Sequence, residues 1–150
     1  MAERHHGVVA IVTNPDRTRF FVQQKDEHYR PHPLGYSLFG GAREAEESPA
    51  EALTRELREE LGAAAQVLLD AGAEHVFTIP RSSPGARLSL FEVVLDGPVL
   101  ESLAEVPVLE GKRGVVLGRE QLAVTPFVWG LDAVVAAYLE RREAEPPRGS

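Results

Sequence analysis

The sequence predicts an α/β fold built on a mixed β-sheet. Three observations support this prediction: strand-like apolar runs outnumber helical patterns, strands separate the helices, and one helix has complete start and stop signals. The chain has 150 residues, 43% of them hydrophobic, which is enough for one sizeable core. We therefore expect a single domain over residues 1–143 and a disordered tail over residues 144–150.

The N-terminal segment predicts a hairpin, a loop and a short strand. Residues 7–13 and 18–23 are β-branched or aromatic runs, and the Asn-Pro-Asp-Arg sequence between them is typical of a turn. Residues 24–35 are polar and interrupted by proline, which favours a loop. Residues 36–39 then predict a short strand that runs into two consecutive glycines.

The clearest element is a helix over residues 49–61. Ser48 and Glu51 have the spacing of a capping box, with proline at the first helical position. Gly62 stands where a left-handed residue commonly ends a helix. An apolar stripe for packing on the core is formed by leucines at every fourth position, Leu53, Leu57 and Leu61.

The C-terminal half predicts further strands and a last helix. Apolar runs favour strands over residues 67–69, 74–79, 87–95 and 115–117. Residues 96–112 contain glycine, proline and acidic residues, which favour a loop. The last helix is expected from Thr125-Pro126 to about residue 143, with one apolar face formed by Val128, Leu131, Val135 and Tyr138.

Composition excludes several classes of protein. The net charge of −7 disfavours a polymeric nucleic acid as partner, and a phosphate-bearing ligand would need a cation to accompany it. The chain has no cysteine, which excludes disulfides, thiolate metal sites and a cysteine nucleophile and fits a reducing compartment. No apolar run approaches the length of a membrane span or of a signal peptide. We therefore expect a cytoplasmic protein without a membrane partner.

Three carboxylates lie on one side of the 49–61 helix. At about 100° per residue, Glu56, Glu59 and Glu60 fall within an arc of about 100° beside the leucine stripe, and no cation falls within that arc. Their repulsion costs on the order of a kcal/mol, and the C-terminal end of a helix disfavours anions. A hard divalent cation would compensate for this repulsion. The alternative is an ordinary solvated acidic face.

The spacing around this helix resembles the Nudix box, G-x5-E-x7-R-E-U-x-E-E-x-G-U, in which U is aliphatic. The matching residues are Gly41, Glu47, Arg55, Glu56, Leu57, Glu59, Glu60, Gly62 and Ala63. Only Ala63 departs from the pattern, because it is smaller than the usual aliphatic residue. The resemblance implies the Nudix fold, an α/β/α sandwich with a mixed β-sheet.

The resemblance also implies an activity. Nudix proteins mostly hydrolyse the pyrophosphate linkage of a nucleoside diphosphate joined to another moiety, with Mg²⁺ or Mn²⁺ as cofactor. The implied partner is a small nucleotide, such as a nucleoside triphosphate, ADP-ribose or a nucleotide sugar, and homodimers are common in the family. The alternative is a non-catalytic, Nudix-like module that binds nucleotides or regulates. An isoprenoid diphosphate isomerase is disfavoured because that chemistry usually needs a cysteine.

Site residues follow from the same resemblance. Glu56 and Glu60 are the expected metal ligands, and Glu59 is a third ligand or acts through water. In some members the glutamate matching Glu56 is instead the general base, and the sequence does not separate these roles. The backbone carbonyl of Gly40, just before the box, is a further expected metal ligand, with a simple turn as the alternative.

Two further residue roles are expected around the box. Arg55 is expected to pair with Glu47 and so to hold the 41–48 loop against the helix, and it could also orient Glu56. An additional acidic metal ligand often follows the box in the family. Glu110 is the candidate for it, with Glu105 and Glu101 as alternatives.

The residues that bind the base are less well defined. Tyr36 and Phe39 could stack on a base, whereas Trp129 is expected in the core or an interface. Pro80 follows the box at roughly the distance found in members that cleave ADP-ribose. Four arginines could contact phosphate: Arg30, Arg43, Arg81 and Arg87.

Overall fold

A computed structural model describes residues 6–145, within which a seven-stranded mixed sheet has helices on both faces. The strands are β1 His6–Thr13, β2 Arg19–Gln24, β3 Tyr36–Ser37, β4 Phe39–Ala42, β5 Ala73–Pro80, β6 Arg87–Val94 and β7 Arg113–Gly118. The helices are α1 Pro49–Leu61, α2 Ala65–Ala71, α3 Gly97–Ser102, α4 Arg119–Val124 and α5 Leu131–Glu143. Within this described range no helix is long and apolar enough to cross a membrane. The predicted fold class is confirmed.

Strand β1 is the centre of the sheet and pairs with three neighbours. It runs parallel to β6 along its whole length and antiparallel to both β2 and β4. Residues 7–10 pair with β4, whereas Val12 and Thr13 pair with β2. The two partners therefore share one edge of β1, and the sheet divides where β4 begins.

The backbone passes very close to β1 at Gly40 in β4. Gly40 has a φ of 144°, and a Cβ there would lie 2.0 Å from the carbonyl oxygen of Val8. Only glycine combines this φ with this approach. The glycine pair noted in the sequence therefore lies within the sheet, directly beside α1.

Two apolar clusters fill the spaces on either side of the sheet. One lies under α1 and includes Leu53, Leu57 and Leu61, so the leucine stripe is buried as predicted. The other lies under α5 and includes Leu131 and Tyr138. The two helices therefore pack on opposite faces, as an α/β/α sandwich requires.

Helix α1 has the predicted limits and the predicted cap. The Glu51 N–H donates to the Ser48 hydroxyl at 3.1 Å, and the Ser48 N–H donates to the Glu51 carboxylate at 2.8 Å. Gly62 has a φ of 60° with a ψ of −132°, so its φ is positive as predicted but its conformation is not left-handed helical. The acidic residues of α1 are thus placed on a helix with both ends fixed.

Two predictions for the middle of the chain are wrong. Residues 67–69 lie in helix α2, in which Ala65 and Leu68 are buried and Gln66 and Val67 are exposed, a helical rather than an alternating pattern. Residues 96–112 contain helix α3, which buries Leu100 against the core. A proline in the first turn is favourable to a helix, and the loop prediction overlooked that.

The C-terminal helices also differ from the prediction. The segment after β7 forms the short helix α4, and α5 begins at Leu131 rather than at Thr125. Trp129 and Gly130 have φ values of 61° and 69°, which interrupt the helix before Leu131. Of the tail predicted to be disordered, Glu145 still accepts a hydrogen bond from Arg142 at 2.7 Å, and residues 146–150 lie outside the described range.

Candidate metal and active site

Glu60 is buried between α1 and the sheet, and only 2% of its surface is exposed. Its Oε1 accepts a hydrogen bond from the Gly40 N–H at 2.8 Å, and its Oε2 accepts one from Nε2 of Gln23 at 3.2 Å. Burial raises the pKa of Glu60 to about 8, although the Gly40 N–H opposes that rise. A carboxylate buried in this way is available to a cation only when it is ionised.

Glu56 lies against the second glycine of β4. A Cβ at Gly41 would come within 2.6 Å of both carboxylate oxygens of Glu56, so a side chain there would displace it. Burial raises the pKa of Glu56, while the hydrogen bond from Arg55 opposes that rise. The glycine pair therefore lets two carboxylates of α1 approach the backbone of β4.

Arg55 connects the loop before α1 with the carboxylates. Its guanidinium forms a two-point ion pair with Glu47, at 2.8 and 2.9 Å, as the sequence predicts. It also donates to Glu56 at 2.9 Å and to Glu59 at 3.3 Å. Arg55 lies outside the carboxylate arc by angular position, but its long side chain reaches both Glu56 and Glu59, so Arg55 can orient Glu56 as expected from the sequence. The ion pair lowers the pKa of Glu47 to about 2.

We expect Arg55 and Glu47 to act as a unit. Arg55→Ala and Glu47→Ala should each lower stability and activity, and the double variant should lose clearly less than the sum of the two losses, because the second change removes a contact already broken. Thermal melting and hydrolysis assays on all four proteins measure this coupling. Strict additivity would contradict the role of the ion pair in holding the loop.

Glu110 is held next to the carboxylate cluster by its own segment. The Leu109 N–H donates to the carbonyl of Glu60 at 2.7 Å, and Nε2 of Gln23 donates to the carbonyl of Glu110 at 3.3 Å. The negative charge of Glu110 contributes to the raised pKa values of Glu56 and Glu60.

The alternatives for the additional acid lie on another segment. The carboxylate of Glu101, on α3, forms an ion pair with Arg19 at 2.9 Å, and Glu105 is exposed on the turn after α3. Of the three acids considered, Glu110 is therefore the one whose charge acts on the α1 carboxylates.

The residues present fit a hard divalent cation. In the part of the chain that is described, no three acidic or histidine side chains already converge as a ligand set. The atoms that could bind a metal here are nevertheless all oxygens. They belong to the carboxylates of α1, to Glu110 and to the backbone of Gly40. A further oxygen, Oε1 of the buried Gln23, has no hydrogen-bond partner. An all-oxygen set of this kind suits Mg²⁺ or Mn²⁺.

A cavity of about 570 Å³ begins at the glycine pair. Its buried lining is mostly apolar but includes His6 and Ser37, and its more exposed rim carries two aromatic and two cationic side chains, Tyr29, Trp129, Lys25 and Arg81. The ammonium of Lys25 lies 5.1 Å from the centre of the Tyr29 ring, and its charge opposes the rise in the pKa of Glu60. The cavity and the acidic cluster therefore share the glycine pair, and Lys25 lines the cavity while its charge acts on Glu60.

Trp129 is exposed on the rim of this cavity, with 68% of its surface accessible. Trp129 was predicted in the core or in an interface, and the core position is wrong, because the left-handed backbone at residue 129 directs the side chain away from the face of α5. The guanidinium of Arg81 donates to the carbonyl of Trp129 and supports this turn. Neither Trp129 nor Tyr29 was predicted to line this cavity, because both lie in irregular segments where periodicity gives no signal.

The predicted stacking residues lie elsewhere. Phe39 is fully buried and stacks on Phe21 with ring centres 5.0 Å apart, so its prediction is wrong. Tyr36 packs near Phe127 and does not line the cavity. Pro80 lines a separate surface hollow formed by residues 80–87.

Comparison with known proteins identifies the family. The model of the NUDIX domain matches residues 3–103. The chain therefore belongs to the Nudix family, and the family match and fold together support a Nudix hydrolase in general. No curated protein sequence gives a significant match.

Solved structures share the fold. A MutT structure from a study of the Aliivibrio salmonicida and Vibrio cholerae proteins is 23% identical, with a TM-score of 0.64 over 90% of this chain and 95% of that one. MutT of Methanosarcina mazei is 16% identical, with a TM-score of 0.63 over 93% and 95%. NrtR of Shewanella oneidensis is 15% identical, with a TM-score of 0.66 over 91% of this chain and 63% of that one.

Proposed function

We propose that this protein is a metal-dependent hydrolase that cleaves the pyrophosphate linkage of a nucleoside diphosphate joined to another moiety. The observation that supports this proposal is the contact of the α1 carboxylates with the glycine pair of β4, which also lines a cavity that carries aromatic and cationic side chains. An aromatic rim suits a base, and the adjacent oxygen donors suit the metal that accompanies a polyphosphate. The family match supports the same class of reaction.

The residues of the chain have distinct roles in this proposal. Glu56 and Glu60 hold the divalent cation, with Glu59, Glu110 and the Gly40 carbonyl as further ligands. When bound, the metal neutralises phosphate charge and makes water a stronger nucleophile. The alternative role for Glu56 is that of general base rather than metal ligand.

Two cations of the chain assist the carboxylates. Arg55 orients Glu56 through the hydrogen bond between their side chains at 2.9 Å. Lys25, which lines the cavity and whose charge acts on Glu60, offers a positive charge to a phosphate in a protein whose net charge is −7.

A nucleotide screen tests the proposed reaction. Nucleoside triphosphates (including oxidised ones), ADP-ribose and nucleotide sugars would be incubated with the protein and Mg²⁺ or Mn²⁺, and products would be separated by ion-exchange chromatography. We expect a nucleoside monophosphate as one product and no turnover with a chelator. Absence of turnover with the whole panel would contradict hydrolysis of these substrates.

We expect Trp129→Ala to weaken substrate binding. The exposed indole contributes little to the core, so the melting temperature should stay close to that of the wild type. Loss of stacking on a base should raise KM about tenfold or more, since such stacking contributes about 1–3 kcal/mol. Val124→Ala, which removes another exposed apolar side chain outside the cavity, is the control. An unchanged KM would exclude Trp129 from base binding.

A binding or regulatory module is the second candidate function. One solved structure with this fold is NrtR of Shewanella oneidensis in complex with a 27mer DNA, at 14% identity. This chain covers only 61% of that protein. Nucleotide binding measured by calorimetry, without turnover of any nucleotide in the screen, would favour this alternative.

A further inference from the structure

Gln23 lies inside the acidic site although it is outside the Nudix box. It is on β2, with no exposed surface, and its side chain faces the end of α1. Its Nε2 donates to Oε2 of Glu60 at 3.2 Å and to the backbone carbonyl of Glu110 at 3.3 Å. One amide group therefore connects an α1 carboxylate with the segment that carries Glu110.

The orientation of this amide is determined by its neighbours. The Glu110 carbonyl can only accept, and Glu60 also accepts when it is ionised, so exchanging the nitrogen and oxygen beside ionised Glu60 would place an acceptor against two acceptors. The oxygen, Oε1, is then left buried without a hydrogen-bond partner. A buried acceptor without a partner is destabilising and calls for an explanation.

The segment that carries Glu110 is packed directly onto Gln23. A Cβ at Gly111 would lie 3.3 Å from both Cγ and Nε2 of Gln23, and Gly111 has a φ of 83°. The Lys112 N–H donates to the carbonyl of Gln24 at 2.9 Å, which fixes the segment to the end of β2. Gln23 is therefore confined by the segment on one side and by Glu60 on the other.

We propose that Gln23 is a positioning residue of the metal site, which holds Glu60 and the Glu110 segment together and offers Oε1 as an acceptor to the hydrated cation. This inference rests on the proposed function because it concerns the same site. The hydrated cation would then be the missing partner of Oε1. The Nε2 group of the same amide keeps the Glu60 carboxylate oriented toward the cation. Partners of metal ligands commonly change metal affinity 10–100-fold when they are removed.

The test is direct measurement of metal binding without substrate. Mn²⁺ would be titrated into Gln23→Met and wild type, with free Mn²⁺ followed by electron paramagnetic resonance. Methionine has a similar length but lacks both the donor and the acceptor, and we expect its Kd to rise at least tenfold. The increase in melting temperature caused by Mg²⁺ should shrink in parallel.

Gln24→Met is the matched control. Gln24 is the next residue of β2, and its amide also makes two hydrogen bonds, with the Leu34 carbonyl at 3.1 Å and with Nε of Arg113 at 2.9 Å. This variant loses a buried amide of the same kind away from the carboxylates. We expect lower stability with a Mn²⁺ Kd within twofold of wild type. Equal Kd increases in both variants would overturn the proposal, because general destabilisation would explain them.

A second variant separates the two roles of the amide. Gln23→Glu keeps oxygen acceptors and loses the donor, so we expect it to bind Mn²⁺ at least as tightly as wild type while it lowers metal-free stability by repelling Glu60. If the Mn²⁺ Kd of Gln23→Glu were as high as that of Gln23→Met, the proposed role of Oε1 would be overturned. If Gln23→Met does not fold, Gln23→Asn, which is too short to keep both contacts, replaces it with the same expected loss.

The outcomes distinguish this inference from the proposed function. If the wild type hydrolyses nucleotides and Gln23→Met binds Mn²⁺ with wild-type affinity, the inference fails and the function stands. If the wild type binds Mn²⁺ through Gln23 but hydrolyses no nucleotide in the screen, the function fails and the positioning role stands.

Discussion

Glu60→Gln is expected to lower the rate of hydrolysis by at least two orders of magnitude, comparable to about 3 kcal/mol of transition-state stabilisation. The substitution keeps the shape of the side chain and an oxygen that can accept the Gly40 N–H. Rotation of the Gln23 amide, at the cost of its contact with the Glu110 carbonyl, lets Oε1 of Gln23 accept from the new amide donor. The fold should therefore tolerate it. What is lost is the negative charge and one hard oxygen ligand at the centre of the acidic cluster.

The measurement is kcat/KM for the best substrate of the nucleotide screen, at saturating Mg²⁺. Glu140→Gln is the control, because Glu140 is exposed on α5, which packs on the opposite face of the sheet from α1. That variant should retain wild-type kinetics. Near wild-type hydrolysis by Glu60→Gln would mean that the metal ligands have been assigned incorrectly.

The sequence predicted α1 and its neighbourhood well because short-range rules operate there. The capping box, the leucine stripe and the pairing of Arg55 with Glu47 all connect residues close in sequence, and the observed contacts agree with them. The short helices were missed or misplaced because each contains few residues. In α2, buried Ala65 and Leu68 are three positions apart, which distinguishes a helix from a strand, but sequence alone does not reveal which residues are buried.

The parts of the site that the sequence could not predict depend on long-range contacts. Gln23 and Glu60 are 37 positions apart, and they meet because β2 and α1 flank the divided part of the sheet. Trp129 reaches the cavity because its backbone has a positive φ, which is rare for a non-glycine residue. Neither effect produces a periodic pattern or a recognisable local motif.

The structure also separates three glutamates that the sequence treated alike. Angular position predicted a shared repulsion among Glu56, Glu59 and Glu60. Arg55 contacts Glu56 and Glu59, whose side chains are 14% and 48% exposed, whereas Glu60 is almost fully buried beside an amide and a backbone N–H. In the metal-free protein, the loss of folding stability caused by ionised carboxylates should therefore come mainly from Glu60 rather than from all three glutamates.

Metal-free Glu60→Gln is accordingly expected to be more stable than wild type at pH 9, and the difference should largely disappear at pH 5. The pKa of Glu60 is about 8 in the folded protein, above its ordinary value of 4.5, so the folded state binds more protons between these pH values. The stability contribution of this group is therefore greatest below about pH 4.5 and is lost as the pH rises to about 8. A pKa of about 8 corresponds to a loss of at most about 5 kcal/mol at pH 9.

Thermal melting with a chelator at pH 5, 7 and 9 measures this effect, and the difference between the two proteins isolates Glu60 from the other titrating groups. About 3 kcal/mol would correspond to roughly 10 °C for a domain of this size. Saturating Mg²⁺ at pH 9 should raise the melting temperature of wild type more than that of Glu60→Gln, because the cation binds the ionised carboxylate of the folded protein. A constant difference between the variants from pH 5 to pH 9 would show that the Glu60 carboxylate is hydrated in solution, and the buried metal site inferred from it would then be wrong.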